Sequence, residues 1–371
     1  MKRRDFLKQT ALGAAAVGAA AGCSGPGGGP DGKASGGPKA GGRRVIWRLA
    51  SSFPRGLDTI YGGAEVLAKE VEAMSGGRFK IRPYPAGEIV PGLQVLDAVQ
   101  QGTVQVGHTA SYYYTGKNPA LAFDTSLPFG LSARQQVAWM EQGGGAELLD
   151  PIFADFGIKR FLAGGTGAQM GGWFNREITS PEDLQGLKMR IPGLGGDVMS
   201  RLGATVQVLA GGDIYPALER GAIDATEWIG PYDDEKLGFH KIAKYYYYPG
   251  WWEPGPTLSF YVGRKQWETL SPEFQAIFSA ATAVATRFMQ SRYDALNPAA
   301  LVRLKQGKTE LRAFPDSVMA AAREKAEALF EEQAAKDAAY RKILEPWKKF
   351  REESFGWFAT AEKAYAAFAF R

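Results

Sequence analysis

One arginine at the end of a short strand, a glutamine upstream of it and two glutamates downstream carry the most specific chemistry in this 371-residue chain. That chemistry is capture rather than bond cleavage. The arginine is Arg190, in the segment SPEDLQGLKMRIP (Ser180–Pro192). Ser180 suits a helix N-cap and Pro181 the first helical position; Glu182 and Asp183 sit where the helix dipole favours acids, and Gly186 stops the turn. Lys188–Ile191 then alternates polar and apolar and predicts a half-buried strand ended by Pro192 and Gly193. With Met189 and Ile191 on the core, Arg190 faces a cleft on the other side. A guanidinium there holds a carboxylate through two parallel hydrogen bonds, fixing its orientation as well as its charge. Gln169 lies upstream, and IDATEW (Ile223–Trp228) brings Glu227 and Trp228 downstream. Glu253 follows Trp251-Trp252 in a Pro/Gly-rich loop, where a carboxylate is costly unless paired.

Other chemistries fit poorly. His108 and His240 are the sole imidazoles, and there is no G-x-S-x-G, so nucleophilic catalysis has no triad setting. His108 reads as a structural residue at a strand end, and His240 as a surface or capping residue. Gly164-Gly165-Thr166-Gly167 lacks the Lys-Ser/Thr of a phosphate loop and reads as a crossing between lobes. Zinc is excluded by one cysteine and two scattered histidines. A hard cation is not: Gln169, Glu227, the Trp228 carbonyl and Glu253 offer a carboxamide, two carboxylates and a main-chain oxygen. Taken alone, Glu227 reads rather as the salt-bridge partner of a nearby Lys or Arg.

The chain's beginning is an address. Arg3-Arg4-Asp5-Phe6-Leu7-Lys8 precedes the apolar stretch Ala11–Gly22, shorter than the roughly 20 residues that span a bilayer. This predicts a twin-arginine export signal over residues 1–22. Ala20-Ala21-Gly22-Cys23 resembles a lipobox, so Cys23 is the expected lipidation site, with plain cleavage near the same alanines as the alternative. Cys23 is the only cysteine, which rules out an intrachain disulfide. Residues 23–43 are rich in Gly, Pro, Ser and Lys and read as a flexible tether. The signal carries three of the five net positive charges, and the near-neutral remainder gives no sign of nucleic-acid binding.

Beyond residue 43, strands alternate with helices, the pattern of parallel βαβ units. Strands are expected at Arg44–Ala50, Arg78–Tyr84, Thr103–Thr109, Ile158–Ala163, Lys188–Ile191, Thr205–Val208, Ala222–Trp228 and Thr257–Gly263. Helices are expected at Leu57–Met74, Leu93–Gln101, Ser132–Leu149, Gly196–Leu202 and Asp213–Arg220, with a long one opening at Ser271-Pro272-Glu273. Tyr245–Tyr248 is expected to cross between lobes. Two final helices are expected near Ser317–Glu345 and Pro346–Phe368. The fold class is α/β, two-lobed, with long C-terminal helices: residues 44–166 form lobe I, 167–254 lobe II, 255–310 the return and connecting helix, and 311–371 a C-terminal helical region. Gln169, Arg190, Glu227 and Trp228 fall at the carboxyl ends of strands, where such folds bind ligands.

Three blocks carry a resemblance: SPEDLQGLKMRIP itself, the following Leu202-Gly203-Ala204, and IYPALERGAIDA (Ile214–Ala225), with Asp213 for the usual glutamate and Ala225 for glycine. The chain resembles the solute-binding protein of a tripartite ATP-independent periplasmic (TRAP) transporter, with a type II-like periplasmic-binding-protein fold. Within that family it is most similar to a subgroup that binds 2-oxo acids or lactate through a bridging cation, sodium or calcium. The resemblance implies substrate contacts from Gln169, Arg190, Trp228, Glu253 and a first-lobe aromatic among Tyr112, Tyr113 and Tyr114. It implies cation ligands at Gln169, Glu227, Trp228 and Glu253. Relatives that bind sialic acid or C4-dicarboxylates carry asparagine where this chain has Trp228, which favours a small monocarboxylate. It further implies delivery to a membrane permease, and a homodimer paired through the aromatic-rich C-terminal helices. The competing readings are a cation-dependent enzyme acting on 2-oxo acids, or a receptor for a dicarboxylate or aromatic acid. The export signal, the tether and the lack of a base–nucleophile pair count against the enzyme.

Overall fold

A computed structural model describes residues 44–371. The export, tether and Cys23 expectations lie outside the described residues. Among the described residues, eleven strands form two sheets. In chain order they are β1 (Val45–Ser51), β2 (Phe79–Tyr84), β3 (Val106–Thr109), β4 (Ile158–Gly165), β5 (Trp173–Phe174), β6 (Lys188–Arg190), β7 (Thr205–Gln207), β8 (Ala225–Thr226), β9 (Tyr245–Tyr248), β10 (Thr257–Gly263) and β11 (Glu310–Ala313). The first sheet runs β2-β1-β3-β10-β4 and the second β11-β9-β5-β8-β6-β7. β1 pairs in parallel with β2 and β3, and β6 with β7 and β8, as the alternating pattern predicts. β10, returning from the second sheet, pairs antiparallel with both β3 and β4.

Neighbouring stretches of chain pass between the sheets. Residues 166–172 lead from β4 to β5, and 249–256 lead back from β9 to β10. They run side by side: the Gln169 amide donates to the Glu253 carbonyl at 3.3 Å, the Gly250 amide to the Gln169 carbonyl at 2.9 Å, and the Thr166 amide to the Pro256 carbonyl at 3.2 Å. Gly172 makes the close approach to β8 possible. Its φ is +78°, and a side chain there would come within 2.9 Å of the Glu227 backbone.

The tyrosine run differs from expectation. Tyr245–Tyr248 is an inner strand of the second sheet, between β11 and β5, and the crossing begins only at Pro249. Both faces of the strand are covered: Tyr246 stacks on Trp173 at 4.1 Å and Tyr247 on Phe314 at 4.8 Å. The segment Pro181–Leu184 is a single tight turn rather than a full helix. Ser132–Leu149 divides into helices Ala133–Gln142 and Gly145–Asp155 around the glycine pair Gly143-Gly144.

Long helices brace both sheets. Pro272–Gln306 packs on Gly62–Met74 and β4 of the first sheet and on Pro231–Leu237, which follows β8 of the second. Asp233 and Asp234 at the start of that shorter helix are fully buried. Asp234 accepts from Trp173 Nε1 at 3.0 Å and the Tyr246 hydroxyl at 2.8 Å, while Asp233 accepts from the Tyr293 hydroxyl at 2.7 Å. Further along, helices span Asp316–Lys336 and Ala338–Phe358. The expected break at Pro346 falls instead at Asp337, whose carboxylate caps the amides of Ala339 and Tyr340. Pro346 lies inside the second helix, which is held across the proline by the buried face Tyr340, Ile343, Leu344 and Trp347.

Trp347 is the centre of that face, 6.1 Å from the ring of Phe123 and 6.3 Å from Phe330. Trp347→Ala should therefore lower the unfolding free energy by about 3–5 kcal/mol. Urea denaturation of the two proteins checks this, and a loss under about 1 kcal/mol would mean the helix is not anchored here.

Candidate functional site

Adjacent parallel strands end side by side in the second sheet, with Arg190 of β6 opposite Thr226 of β8. The next residue, Glu227, is thereby set against the arginine. Arg190 is 1 % exposed and Glu227 is fully buried. One guanidinium nitrogen, Nη1, donates to Glu227 Oε1, forming a buried ion pair, and to the Glu227 carbonyl at 3.2 Å. Nε donates to the Leu209 carbonyl at 3.1 Å, and the guanidinium lies 5.3 Å from the Trp228 ring centroid. These contacts fix the plane of the fork. They leave Arg190 Nη2 and Glu227 Oε2 buried without hydrogen-bond partners among the described residues.

The crossing segments supply the opposite wall. Gln169 Nε2 donates to Glu253 Oε2 at 2.8 Å, and the Tyr112 hydroxyl donates to the same oxygen at 3.3 Å. Gln169 Oε1 is buried and unpartnered. Tyr112 and Tyr113 belong to the tight turn Ser111–Tyr114 that follows β3. Tyr114 points away, its hydroxyl accepting from the Leu96 amide at 3.2 Å and sharing a hydrogen bond with Thr109 at 2.9 Å. Gly193, three residues past Arg190, lets the turn approach: its φ is +61°, and a side chain there would meet the Tyr112 Cβ at 3.0 Å.

A narrow cavity lies between these walls. Tyr112, Tyr113, Gln169, Arg190, Trp228 and Glu253 all line it, so every expected substrate-contacting residue is brought together. The remaining lining is Phe53, Ile60, Thr166, Ile229, Pro256 and Leu258. Nothing in the sequence marks these residues for a site. Phe53, Ile60, Ile229 and Pro256 lie in loops and turns, where no periodic signal exists, and Leu258 lies at the start of the fully buried β10, whose uniform burial does not mark one side as cavity lining; Thr166 lies in the glycine-rich segment already read as a crossing. The lining is polar on one side and apolar on the other, which suits a small molecule of the same make-up.

The expected cation ligands divide. Gln169 and Glu253 are in direct contact, whereas Glu227 lies behind the cavity lining and is paired with Arg190, the salt bridge that the residues alone suggested. Among the described residues no three acidic, histidine or cysteine side chains converge on a point. Even so, two buried oxygens without partners, Gln169 Oε1 and Glu227 Oε2, beside a second buried carboxyl form an all-oxygen donor set that fits a hard cation. No hydrogen bond reaches the Trp228 carbonyl among the described residues, which leaves it available as well.

Burial dominates the electrostatics. It raises Glu227 to about 7 despite the adjacent guanidinium. Burial, and then the charge of Glu227, hold Glu253 well above the usual carboxylate range. Burial raises Tyr113 to about 12 and lowers His108 to about 3, so both stay neutral. His108 is seated at 3.1 Å from Ser51 Oγ and does not line the cavity. Buried Asp233 and Asp234 rise to about 6 and about 7.

A carboxyl whose folded pKa is raised contributes stability that is complete below its unfolded value and lost as pH climbs through the folded value. Glu227, Asp233 and Asp234 all act this way. The cation-free protein should therefore lose unfolding free energy between about pH 5 and pH 8. Because the glutamates must ionise to ligate, a bound cation should reverse that slope. Urea titrations with and without chelator measure both; a stability that rises with pH in chelator would contradict the assignment.

Known proteins resemble this chain along nearly its whole length. The model of the bacterial extracellular solute-binding protein family 7 matches residues 51–337. A monocarboxylate 2-oxoacid-binding periplasmic protein of Nostoc sp. is 55 % identical, covering 100 % of this chain and 99 % of its own. The crystal structure of a TRAP transporter solute-binding protein of Bordetella bronchiseptica RB50, a mixed-occupancy dimer with copurified calcium and picolinate in one active site, is 48 % identical with a TM-score of 0.88. It covers 89 % of this chain and 98 % of its own. A TRAP periplasmic solute-binding protein of Pseudoalteromonas atlantica T6c with bound sodium and pyruvate is 41 % identical with a TM-score of 0.85, covering 88 % and 99 %.

Proposed function

The chain belongs to the bacterial extracellular solute-binding protein family 7, and from that premise we propose that its cavity receives a small 2-oxo or 2-hydroxy monocarboxylate together with a sodium or calcium ion. It is a TRAP solute receptor and not an enzyme. The observation that carries the ligand reading is the unpartnered Nη2 of a buried arginine facing a small cavity whose other wall holds buried carboxyl and carboxamide oxygens. In this reading Arg190 takes the ligand carboxylate. Gln169, Glu227, the Trp228 carbonyl and Glu253 hold the cation, which when bound supplies the positive charge these carboxylates lack. Tyr112 and Tyr113 close over the ligand, and Phe53, Ile60, Ile229 and Leu258 meet its alkyl end. Arg190 offsets only one of three carboxylates: Glu227, Glu253 and the ligand's own. The other two are balanced by a divalent cation, or by a monovalent one with one carboxyl left protonated.

The same reading takes residues 44–166 and 167–254 as the two lobes, 255–310 as the return to the first and its connecting helix, and 311–371 as the C-terminal region. Residues 1–22 direct twin-arginine export to the periplasm, Cys23 carries a lipid, and residues 23–43 tether the receptor near its permease. Homodimerisation is supported by aromatics exposed on the last helices: Trp357 at 63 %, Tyr365 at 71 %, Phe368 at 75 % and Phe370 at 85 %. Among the described residues no helix is long and apolar enough to cross a membrane.

Pyruvate with sodium or calcium should stabilise the protein by about 2.7 kcal/mol at a hundred times its dissociation constant, and EDTA with sodium removal should abolish that gain. Thermal shift against a panel of mono- and dicarboxylates tests this; stabilisation by dicarboxylates alone would refute the ligand class. Arg190→Lys should weaken binding by roughly 2–5 kcal/mol with the fold intact, since one ammonium cannot reproduce the fork. Calorimetry near wild-type affinity would remove Arg190 from its role. Light scattering should give a dimer mass for the mature chain and a monomer after deletion of residues 359–371; a monomeric mature chain would refute the dimer.

A further inference from the structure

Asp124 is fully buried behind the tyrosine turn and lines no part of the cavity. It lies in the short helix Ala122–Thr125. Arg160 of β4 sets Nε 2.5 Å from one of its carboxylate oxygens. Ser259 of β10 donates to the other at 2.6 Å, and Ser111 donates to that same oxygen. Thr257 of β10 donates to the Asp124 carbonyl at 2.6 Å. The next residue, Thr125, accepts from the Tyr112 amide at 3.3 Å. Two consecutive helix residues thus grip two consecutive turn residues. The far end of the turn is held separately, by Tyr114 on Thr109 and Leu96. Tyr112 and Tyr113, which reach the cavity, lie between the two anchors.

A buried ion pair adds little net stability, because desolvation of both charges offsets their attraction, and apolar residues of equal volume often hold a fold as well. What a fixed carboxylate adds is direction: one oxygen of Asp124 accepts from the Ser111 and Ser259 hydroxyls while the other faces Arg160, and only one arrangement meets both. We propose that the Asp124–Arg160 pair is a positioning device for the ligand site. Through Ser111 and Thr125 it sets the orientation of Tyr112 and Tyr113. Through Thr257 and Ser259 it sets the start of β10, which brings Leu258 and the preceding Pro256 to the same cavity. The proposal rests on the ligand reading above for its affinity readout alone.

Fluorotyrosine placed at position 113 of the mature chain, read by fluorine NMR, reports the orientation directly, and fluorotyrosine at 246 in the second sheet serves as control. Asp124→Asn and Ser111→Ala should each shift or split the Tyr113 resonance and leave the Tyr246 resonance unmoved. Each should weaken pyruvate binding, measured by calorimetry with calcium, by about tenfold. An unchanged Tyr113 resonance with unchanged affinity, whatever happens to thermal stability, would reduce the pair to a fold element and overturn the proposal. If Asp124→Asn fails to fold, Ser111→Ala decides alone, since it removes a single hydroxyl. If the wild-type protein gives no heat with pyruvate, the ligand reading falls. The fluorine resonance then still decides: a split supports the positioning role and an unmoved line overturns it.

Discussion

Arg190 and Glu227 have both lost nearly all of their water, and each is held by the carboxyl end of its own strand. Charges that have given up hydration must find compensation within the protein, and here each finds half of it in the other. The unmet half, one guanidinium nitrogen and one carboxylate oxygen, defines what the cavity can accept. A carboxylate answers the first and a cation the second. A cation alone leaves the guanidinium fork incomplete. A carboxylate alone adds negative charge beside Glu227 and Glu253, which burial already disfavours in their ionised forms.

The surrounding fold keeps that imbalance from relaxing. Parallel pairing of β6 and β8 sets the register of Arg190 against Thr226, so the pair cannot slip without breaking the sheet. Leu209 and Trp228 fix the guanidinium plane. On the facing wall, Gln169 and Glu253 are held by backbone hydrogen bonds between two crossing segments rather than by strands. One wall is therefore set by sheet register and the other by the path of the chain between sheets.

That division explains how much of the site was legible in the sequence. Arg190 was read from an alternating strand closed by Pro192 and Gly193, a local pattern that survives without tertiary context. Glu227 was seen, but its partner was open, because no local pattern states which strands are neighbours. Gln169 and Glu253 owed their pairing to a family resemblance, being 84 residues apart on irregular chain. The Asp124 cluster and the buried Asp233-Asp234 pair are not legible: aspartates with no apolar pattern around them read as surface residues until burial is known. Tyr245–Tyr248 was misplaced because four tyrosines show no alternation, and only the rings of Trp173 and Phe314 explain why both faces are covered. Pro346 reads as a helix break because its cost is local, whereas the packing that overrides it is not.

Gln169 and Glu253 sit on the strips of chain that join the two sheets, and they bond to each other there. The side chains that form one wall of the cavity thus also fasten together the two stretches of chain that connect the sheets. A substitution at Gln169 or Glu253 alters the wall and the join at once, whereas Ile60 and Leu258 line the cavity outside the joining segments, so changes there reshape the chamber and leave the join alone.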